Sequence, residues 1–161
     1  MILYSDYVLY NRSYIYAMKD DTLIYFGPKE DALISIAKDY KGEEIYHSVK
    51  ASQLFEDEMD AYLKGTLKDF SIAVVINGTD FQKRVYHALL NVEYGQTISY
   101  AALSQRIDHE KAVRAVGSAV GKNRIMIVIP CHRIIAKDGS LGGFTGGLDL
   151  KVVLLEREQS L

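Results

Sequence analysis

The segment SYAALSQRIDHEKAVRAVGSAVGK, residues 99–122, decides the fold of the second half of the chain. Ser99 is a typical N-cap residue and predicts a short helix that ends at Arg106. Asp108 predicts the cap of a second helix, over about 110–122. Two short helices joined by so tight a link are typical of a helix-turn-helix.

The second predicted helix has two unlike faces. Apolar residues recur three and four apart and predict the packed face, at Val113, Val116 and Val120. Polar and basic residues lie along another face, at Lys111, Arg114, Ser118 and Lys122. Glycine costs about 1 kcal/mol in a helix interior. Gly117 and Gly121 therefore indicate either tight helix packing or the close approach of another molecule to the backbone.

The rest of the chain predicts an α+β fold. Runs rich in Tyr, Ile, Val and Leu, separated by turn residues, predict antiparallel strands at 2–10, 13–18 and 22–26. One more strand is predicted at 71–76, and helices are predicted at 53–64, at 80–91 and from the residue after Gly147 to about Glu158. We expect two domains, a small antiparallel sheet domain in residues 1–76 and a mostly helical domain in residues 77–161.

The charge of the chain is unevenly distributed. Residues 1–70 hold thirteen acidic and eight basic side chains, a formal charge of −5, whereas residues 71–161 hold eight and eleven, a charge of +3. The basic excess lies between Lys83 and Lys137 and suits a polyanion, although a solvated basic face has the same composition. No run approaches the roughly 20 apolar residues of a membrane span. The first residues lack the order of a secretory signal, and we expect a cytoplasmic protein.

The single cysteine lies in IVIPCHRII, residues 127–135. One cysteine forms neither an internal disulfide nor a cysteine-based zinc site, so we expect no metal and either a buried structural thiol or a reactive one. Pro130 predicts the end of a strand, with the thiol at its rim. His132 and Arg133 then place a base and a cation beside Cys131, and either could raise its thiolate fraction.

IPCHRII resembles the active-site signature of the methylated-DNA–protein-cysteine methyltransferases, DNA repair proteins that remove alkyl groups from the O6 of guanine. Three consecutive blocks resemble the catalytic domain of that family: TDFQKRVYHALLNVEYGQTISYAALSQRI, KAVRAVGSAVGKNRIMIVIPCHRII and GSLGGFTGGLDLKVVLLEREQ. Residues 1–76 occupy the place of its RNase H-like amino-terminal domain. The resemblance implies that the protein transfers the alkyl group of O6-alkylguanine, and of O4-alkylthymine, to its own cysteine. This transfer would be irreversible, would occur once per protein molecule and would need no cofactor.

The resemblance also implies roles for individual residues. Cys131 would accept the alkyl group, His132 would be its base through a water molecule, and Glu158 would orient and polarise His132. Asn123 would be a hinge residue whose side chain bonds backbone groups between the second helix of the helix-turn-helix and the turn that carries Cys131. Tyr100 would contact a phosphate and the flipped base, and would stabilise or protonate the departing guanine.

The implied partner is double-stranded DNA, bound by a monomer through the minor groove. Arg114 would enter the duplex in place of the flipped nucleotide, and small residues would allow close approach. The other implied DNA contacts are Lys111, Ser118, Lys122 and Tyr100. The carbonyls of Cys131 and Ile134 would contact the base. The glycine-rich loop that carries Phe144 and Thr145 would also contact it, and the backbone N–H near Thr145 would donate to O6.

Two other classes of protein share parts of this pattern. A cysteine hydrolase could pair Cys131 with His47, His87 or His109, and turnover of an ester or amide would identify it. A non-catalytic module would bind DNA without transfer, but such relatives carry another residue, typically tryptophan, at the position of Cys131.

Overall fold

The structure is a computed structural model that describes residues 1–160. The chain forms two compact units, Met1–Val75 and a second unit that begins at Ile76. No helix among residues 1–160 is long and apolar enough to cross a membrane.

The first unit is a four-stranded sheet with two helices. Its elements are β1 (Ile2–Leu9), β2 (Arg12–Lys19), β3 (Thr22–Pro28), α1 (Ala32–Asp39), β4 (Ile45–His47) and α2 (Gln53–Leu63). The order of the strands is β3-β2-β1-β4. Tight turns with positive φ at Tyr10–Asn11 and Asp20–Asp21 connect the first three strands, as their turn residues predict.

The predicted purely antiparallel sheet is wrong, because β4 pairs with β1 in parallel and makes the sheet mixed. The connection through α1 returns the chain to the far side of β1, so that Ile45 lies opposite Ile2. A strand of three residues is too short for its alternation to be visible in the sequence. Helix α1 was not predicted from the sequence either.

The predicted strand at 71–76 is also absent from the structure of residues 1–160, which has one parallel bridge there, between Leu23 and Val74. The buried carboxylate of Glu58 instead accepts hydrogen bonds from the backbone N–H groups of Ser71 and Ile72, at 3.0 and 2.9 Å. A side chain thus satisfies amides that a longer strand pairing would have used.

The second unit is mostly helical. Its elements are α3 (Asp80–Leu90), β5 (Ile98–Ser99), α4 (Tyr100–Arg106), α5 (Val113–Gly121), a 3-10 turn (Cys131–Arg133), β6 (Ile134–Ile135) and α6 (Leu148–Arg157). Ser99 caps α4, as predicted, because its Oγ accepts from Ala102 N at 3.0 Å. The helices bury an apolar core that includes Val85, Leu89, Leu103, Val116 and Leu154.

The predicted start of α5 is wrong. Asp108 has φ of 59° and lies in the link rather than at a cap, and α5 begins only at Val113, without a side-chain cap. A turn in which Ala112 N donates to His109 O at 2.9 Å takes up the residues between. Beyond the helices, the parallel pairing of Ile98 with Ile134 brings the start of α4 next to the turn that carries the cysteine.

Candidate active site

The segment before the cysteine is a series of turns, and the predicted strand that ends at Pro130 is wrong. Val128 N donates to Met126 O and Cys131 N donates to Ile129 O, both at 2.8 Å. Ile127 is buried and has φ of 69°, a left-handed conformation that is unfavourable for a β-branched residue. The two-residue strand β6 follows the cysteine instead of preceding it. A backbone of this shape needs partners for the polar groups that it buries.

Asn123 supplies those partners. Its Oδ1 accepts from Ile125 N at 3.0 Å, and its Nδ2 lies 3.1 Å from Ile125 O and 2.9 Å from Ile129 O. The same Nδ2 lies 3.2 Å from Cys131 Sγ. One buried amide therefore joins the end of α5, the turns after it and the thiol.

The thiol of Cys131 is buried rather than placed at a rim, with 4% of the residue exposed. Burial raises the pKa of this thiol to about 11, against the opposing effects of the Asn123 hydrogen bond and the Lys151 ammonium group. Neither His132 nor Arg133 is among the groups that lower the pKa of this thiol, and the net shift is upward. The cysteine is a protonated thiol at neutral pH and needs a base to become a nucleophile.

His132 and Glu158 form a buried pair, with Nε2 of His132 2.7 Å from Oε2 of Glu158. Burial opposes ionisation of Glu158, but hydrogen bonds from His132 and Arg133 outweigh it and hold the pKa of the carboxyl at about 2. Burial lowers the pKa of His132 and outweighs the attraction of Glu158. An ionised carboxylate only accepts, so Nε2 carries the imidazole proton. The other ring nitrogen, Nδ1, is buried and has no hydrogen-bond partner among residues 1–160.

Arg133 faces Glu158, not the thiol. Its Nε donates to Oε1 at 2.8 Å, its Nη2 donates to Oε2 at 3.0 Å, and its Nη1 donates to Val92 O at 2.7 Å. The arginine therefore belongs to the buried cluster and is no part of an exposed basic surface, although it lies within the basic stretch between Lys83 and Lys137. Arg84 is exposed, and its Nη2 donates to Ile107 O at 3.1 Å.

Lys151 is a site residue that sequence reasoning missed. It is fully buried on α6, where its Nζ donates to Ile134 O at 2.6 Å and to the loop carbonyls of Leu141 and Gly143. The one signal in the sequence was a lysine next to Leu150, on the stripe that α6 buries. The ammonium group fastens the loop after β6 to the cysteine turn and adds positive charge near Cys131.

A cavity of 370 Å³ opens above the thiol. Its lining includes Tyr100 from α4, Gly117, Val120 and Gly121 from α5, Cys131, and Gly143, Phe144 and Thr145 from the loop. Thr145 Oγ1 donates to Gly121 O at 3.1 Å and ties the loop to the end of α5. Burial raises the pKa of Tyr100, so its hydroxyl keeps its proton at neutral pH. A ligand in this cavity would lie among Cys131, Tyr100 and Phe144.

The exposed basic face spans α5 and the residues on either side of it. Arg114 and Ser118 lie on α5, Lys111 precedes the helix and Lys122 follows it, and all four are exposed. Val116, Ala119 and Val120 are buried. Val113 is 37% exposed, so the apolar stripe covers less of the helix than predicted. Within residues 1–160, no group of three or more His, Cys, Asp and Glu side chains could hold a metal ion.

The fold and the site define a protein with a buried cysteine in the lining of a 370 Å³ cavity and an exposed basic face on and around α5. Residues 80–160 match the family described as 6-O-methylguanine DNA methyltransferase, DNA binding domain. The inducible methylated-DNA–protein-cysteine methyltransferase of Bacillus subtilis is 38% identical over 141 residues, which are 85% of this chain and 79% of that protein.

Two solved structures are also similar. The crystal structure of Mycobacterium tuberculosis OGT in complex with DNA has a TM-score of 0.86 and 34% identity, over 98% of this chain and 93% of that one. The O6-methylguanine-DNA methyltransferase of Pyrococcus kodakaraensis has a TM-score of 0.70 and 28% identity, over 98% of this chain and 99% of that one. The chain belongs to the methylated-DNA–protein-cysteine methyltransferase family of DNA repair alkyltransferases.

Proposed function

We propose that the protein repairs O6-alkylguanine in double-stranded DNA by moving the alkyl group onto Cys131. The observation that carries the proposal is the position of Cys131 Sγ in the lining of the cavity, next in the chain to a histidine that is held by a buried carboxylate. The competing cysteine hydrolase has less support. His47 pairs with Asp6, and His109 contacts the carbonyl of Ile107.

The reaction begins with removal of the thiol proton. The unprotonated Nδ1 of His132 takes this proton through a water molecule, and Glu158 stabilises the imidazolium that forms. The thiolate attacks the alkyl carbon in line, the S–C bond forms, and the C–O6 bond breaks. The electron pair stays on the guanine, which takes up one proton. The thioether has no leaving group, so the protein is consumed after one turnover.

The cavity lining would recognise the base. The hydroxyl of Tyr100 would donate to the guanine as negative charge develops on it. The backbone N–H of Thr145 would address O6, and Phe144 would lie against the base. The carbonyls of Cys131 and Ile134 would accept from the exocyclic amino group. Ile134 O also accepts from Lys151 Nζ, and a carbonyl oxygen has two lone pairs. The same contacts would admit O4-alkylthymine.

DNA would bind to the exposed face of α5. We assign α4 and α5 as a helix-turn-helix that enters the minor groove, with Arg114 replacing the flipped nucleotide and with Lys111, Ser118 and Lys122 near the phosphates. The domain 77–161 would hold all of the chemistry, and residues 1–76 would be an RNase H-like domain. We propose a monomer without a cofactor. It would act in the cytoplasm, where a free thiol remains reduced.

The test is the intact mass of the protein after mixing with a duplex that contains one O6-methylguanine. We expect one added methyl per protein, located on Cys131 by peptide mapping, and a yield of repaired DNA that never exceeds the amount of protein. Cys131→Ser is the matched control: it should bind the same duplex with unchanged affinity and gain no mass. Repaired DNA in excess of protein, or a methyl group on another residue, would refute the proposal.

A further inference from the structure

Arg133 is fixed at three points in the buried cluster. It pairs with both oxygens of Glu158, and its Nη1 donates to Val92 O in the segment after α3. The guanidinium carbon also lies 5.8 Å from the centre of the Tyr94 ring. The side chain of Glu158 has no exposure to solvent, and that of Arg133 has 8%. A planar guanidinium matches a carboxylate at two points, a geometry that the point charge of lysine cannot reproduce.

Oε2 of Glu158 is shared between two donors. His132 Nε2 lies 2.7 Å from it and Arg133 Nη2 lies 3.0 Å from it. A buried carboxylate with an imidazole as its only partner would favour the imidazolium ion, because an opposite charge stabilises the charged form. A permanently charged guanidinium already neutralises this carboxylate. The imidazole can then remain neutral, and only a neutral imidazole can accept the thiol proton.

We propose that Arg133 is a positioning residue that holds Glu158 and offsets its charge, so that His132 stays neutral and able to act as the base. This inference rests on the proposed function and deepens it, since the methyl acceptor and the base are the residues assigned there. The charged groups that act on the imidazole are Lys151 from α6, Glu158 directly after α6, and Arg133 from its own turn. Cys131 precedes it in the same turn, and the ring of Phe144 lies 6.4 Å away.

The pH dependence of transfer separates this role from a purely structural one. We would measure single-turnover methyl transfer from a saturating O6-methylguanine duplex between pH 5 and 9. Arg133→Met should move the acid limb of the rate profile up by about 1–2 pH units, because the uncompensated carboxylate raises the pKa of His132. Glu158→Gln should move the limb down, because the guanidinium then faces an uncharged amide. The double variant R133M/E158Q should return the limb to near the wild-type position.

Arg133→Lys keeps the charge without the two-point contact, so its limb should stay near that of the wild type while its rate falls. Should Arg133→Met fail to fold, the acid limb of Glu158→Gln should still lie below that of the wild type, and the limb of the double variant should still lie above that of Glu158→Gln. Rates that fall at every pH while all limbs stay in place would overturn the inference. Wild-type protein that gains no methyl would instead refute the proposed function, so the two failures are distinguishable.

Discussion

Replacement of Asn123 by alanine should strongly destabilise the second unit. The side chain makes three hydrogen bonds to buried backbone groups, which are Ile125 N–H, Ile125 C=O and Ile129 C=O. Each such bond contributes about 1 kcal/mol, and more when its loss leaves the partner buried without a replacement. Asn123 is 7% exposed, so water does not readily replace the lost partners. We expect a loss of about 3–5 kcal/mol in the free energy of unfolding.

The measurement is urea unfolding followed by circular dichroism, with the slopes of the transitions compared between variants. Asn123→Asp is the sharper variant. It keeps the acceptor for Ile125 N–H but directs a carboxylate oxygen at the carbonyl of Ile129. We expect the folded state to raise the pKa of the new carboxyl. The native state then binds more protons than the unfolded state, so the variant should lose stability as the pH rises above about 4.

A loss below about 1 kcal/mol in Asn123→Ala would refute the reasoning, because it would mean that the turns of residues 125–129 satisfy their own polar groups. Stability of Asn123→Asp that does not change between pH 3 and 7 would contradict the assigned orientation of the amide. Because Nδ2 also contacts Cys131 Sγ, both variants should lose methyl transfer, and the loss should persist in the fraction that remains folded.

Two further predictions concern the DNA-binding face and the buried carboxylate. Arg114→Ala should lose about 10- to 100-fold of the transfer rate on duplex DNA and far less on single-stranded substrate, because base extrusion costs a few kcal/mol only in the duplex. Arg114→Lys should transfer as slowly on duplex DNA as Arg114→Ala, and full activity of Arg114→Lys would make Arg114 an ordinary phosphate contact. Lys122→Ala should mainly reduce the slope of log affinity against log salt by about one unit. The pKa of Glu158 lies at about 2, below the ordinary 4.5, so its contribution to stability is complete above pH 4.5 and is lost as the pH falls toward 2. The free energy of unfolding of Glu158→Gln should therefore differ from that of the wild type by an amount that shrinks as the pH falls from 4.5 toward 2. A difference that stays constant over this range would contradict an ionised Glu158 in the folded protein.

Local sequence signals predicted the elements that depend on neighbouring residues. The cap at Ser99 and the periodicity of α3 and α6 identified helices that the structure contains, and turn residues identified the first two hairpins. Local rules failed at other positions. Asp108 has the composition of a cap but lies in a left-handed link, and the amides of 71–72 bond to Glu58 rather than to a strand.

The sequence by itself identified the candidate site residues other than Lys151, because the motif around Cys131 and the blocks on either side of it are continuous stretches of chain. Only the tertiary structure decided which groups meet. His132 and Glu158 are 26 residues apart, Arg133 and Val92 are 41 apart, and Lys151 reaches carbonyls on two separate segments. The charge state of the thiol follows from the same cause. His132 and Arg133, its neighbours in the chain, suggested a thiolate, but burial keeps the sulfur protonated. The ionisation of a group depends on its solvation and on the charges near it in space, and not on its neighbours in the sequence.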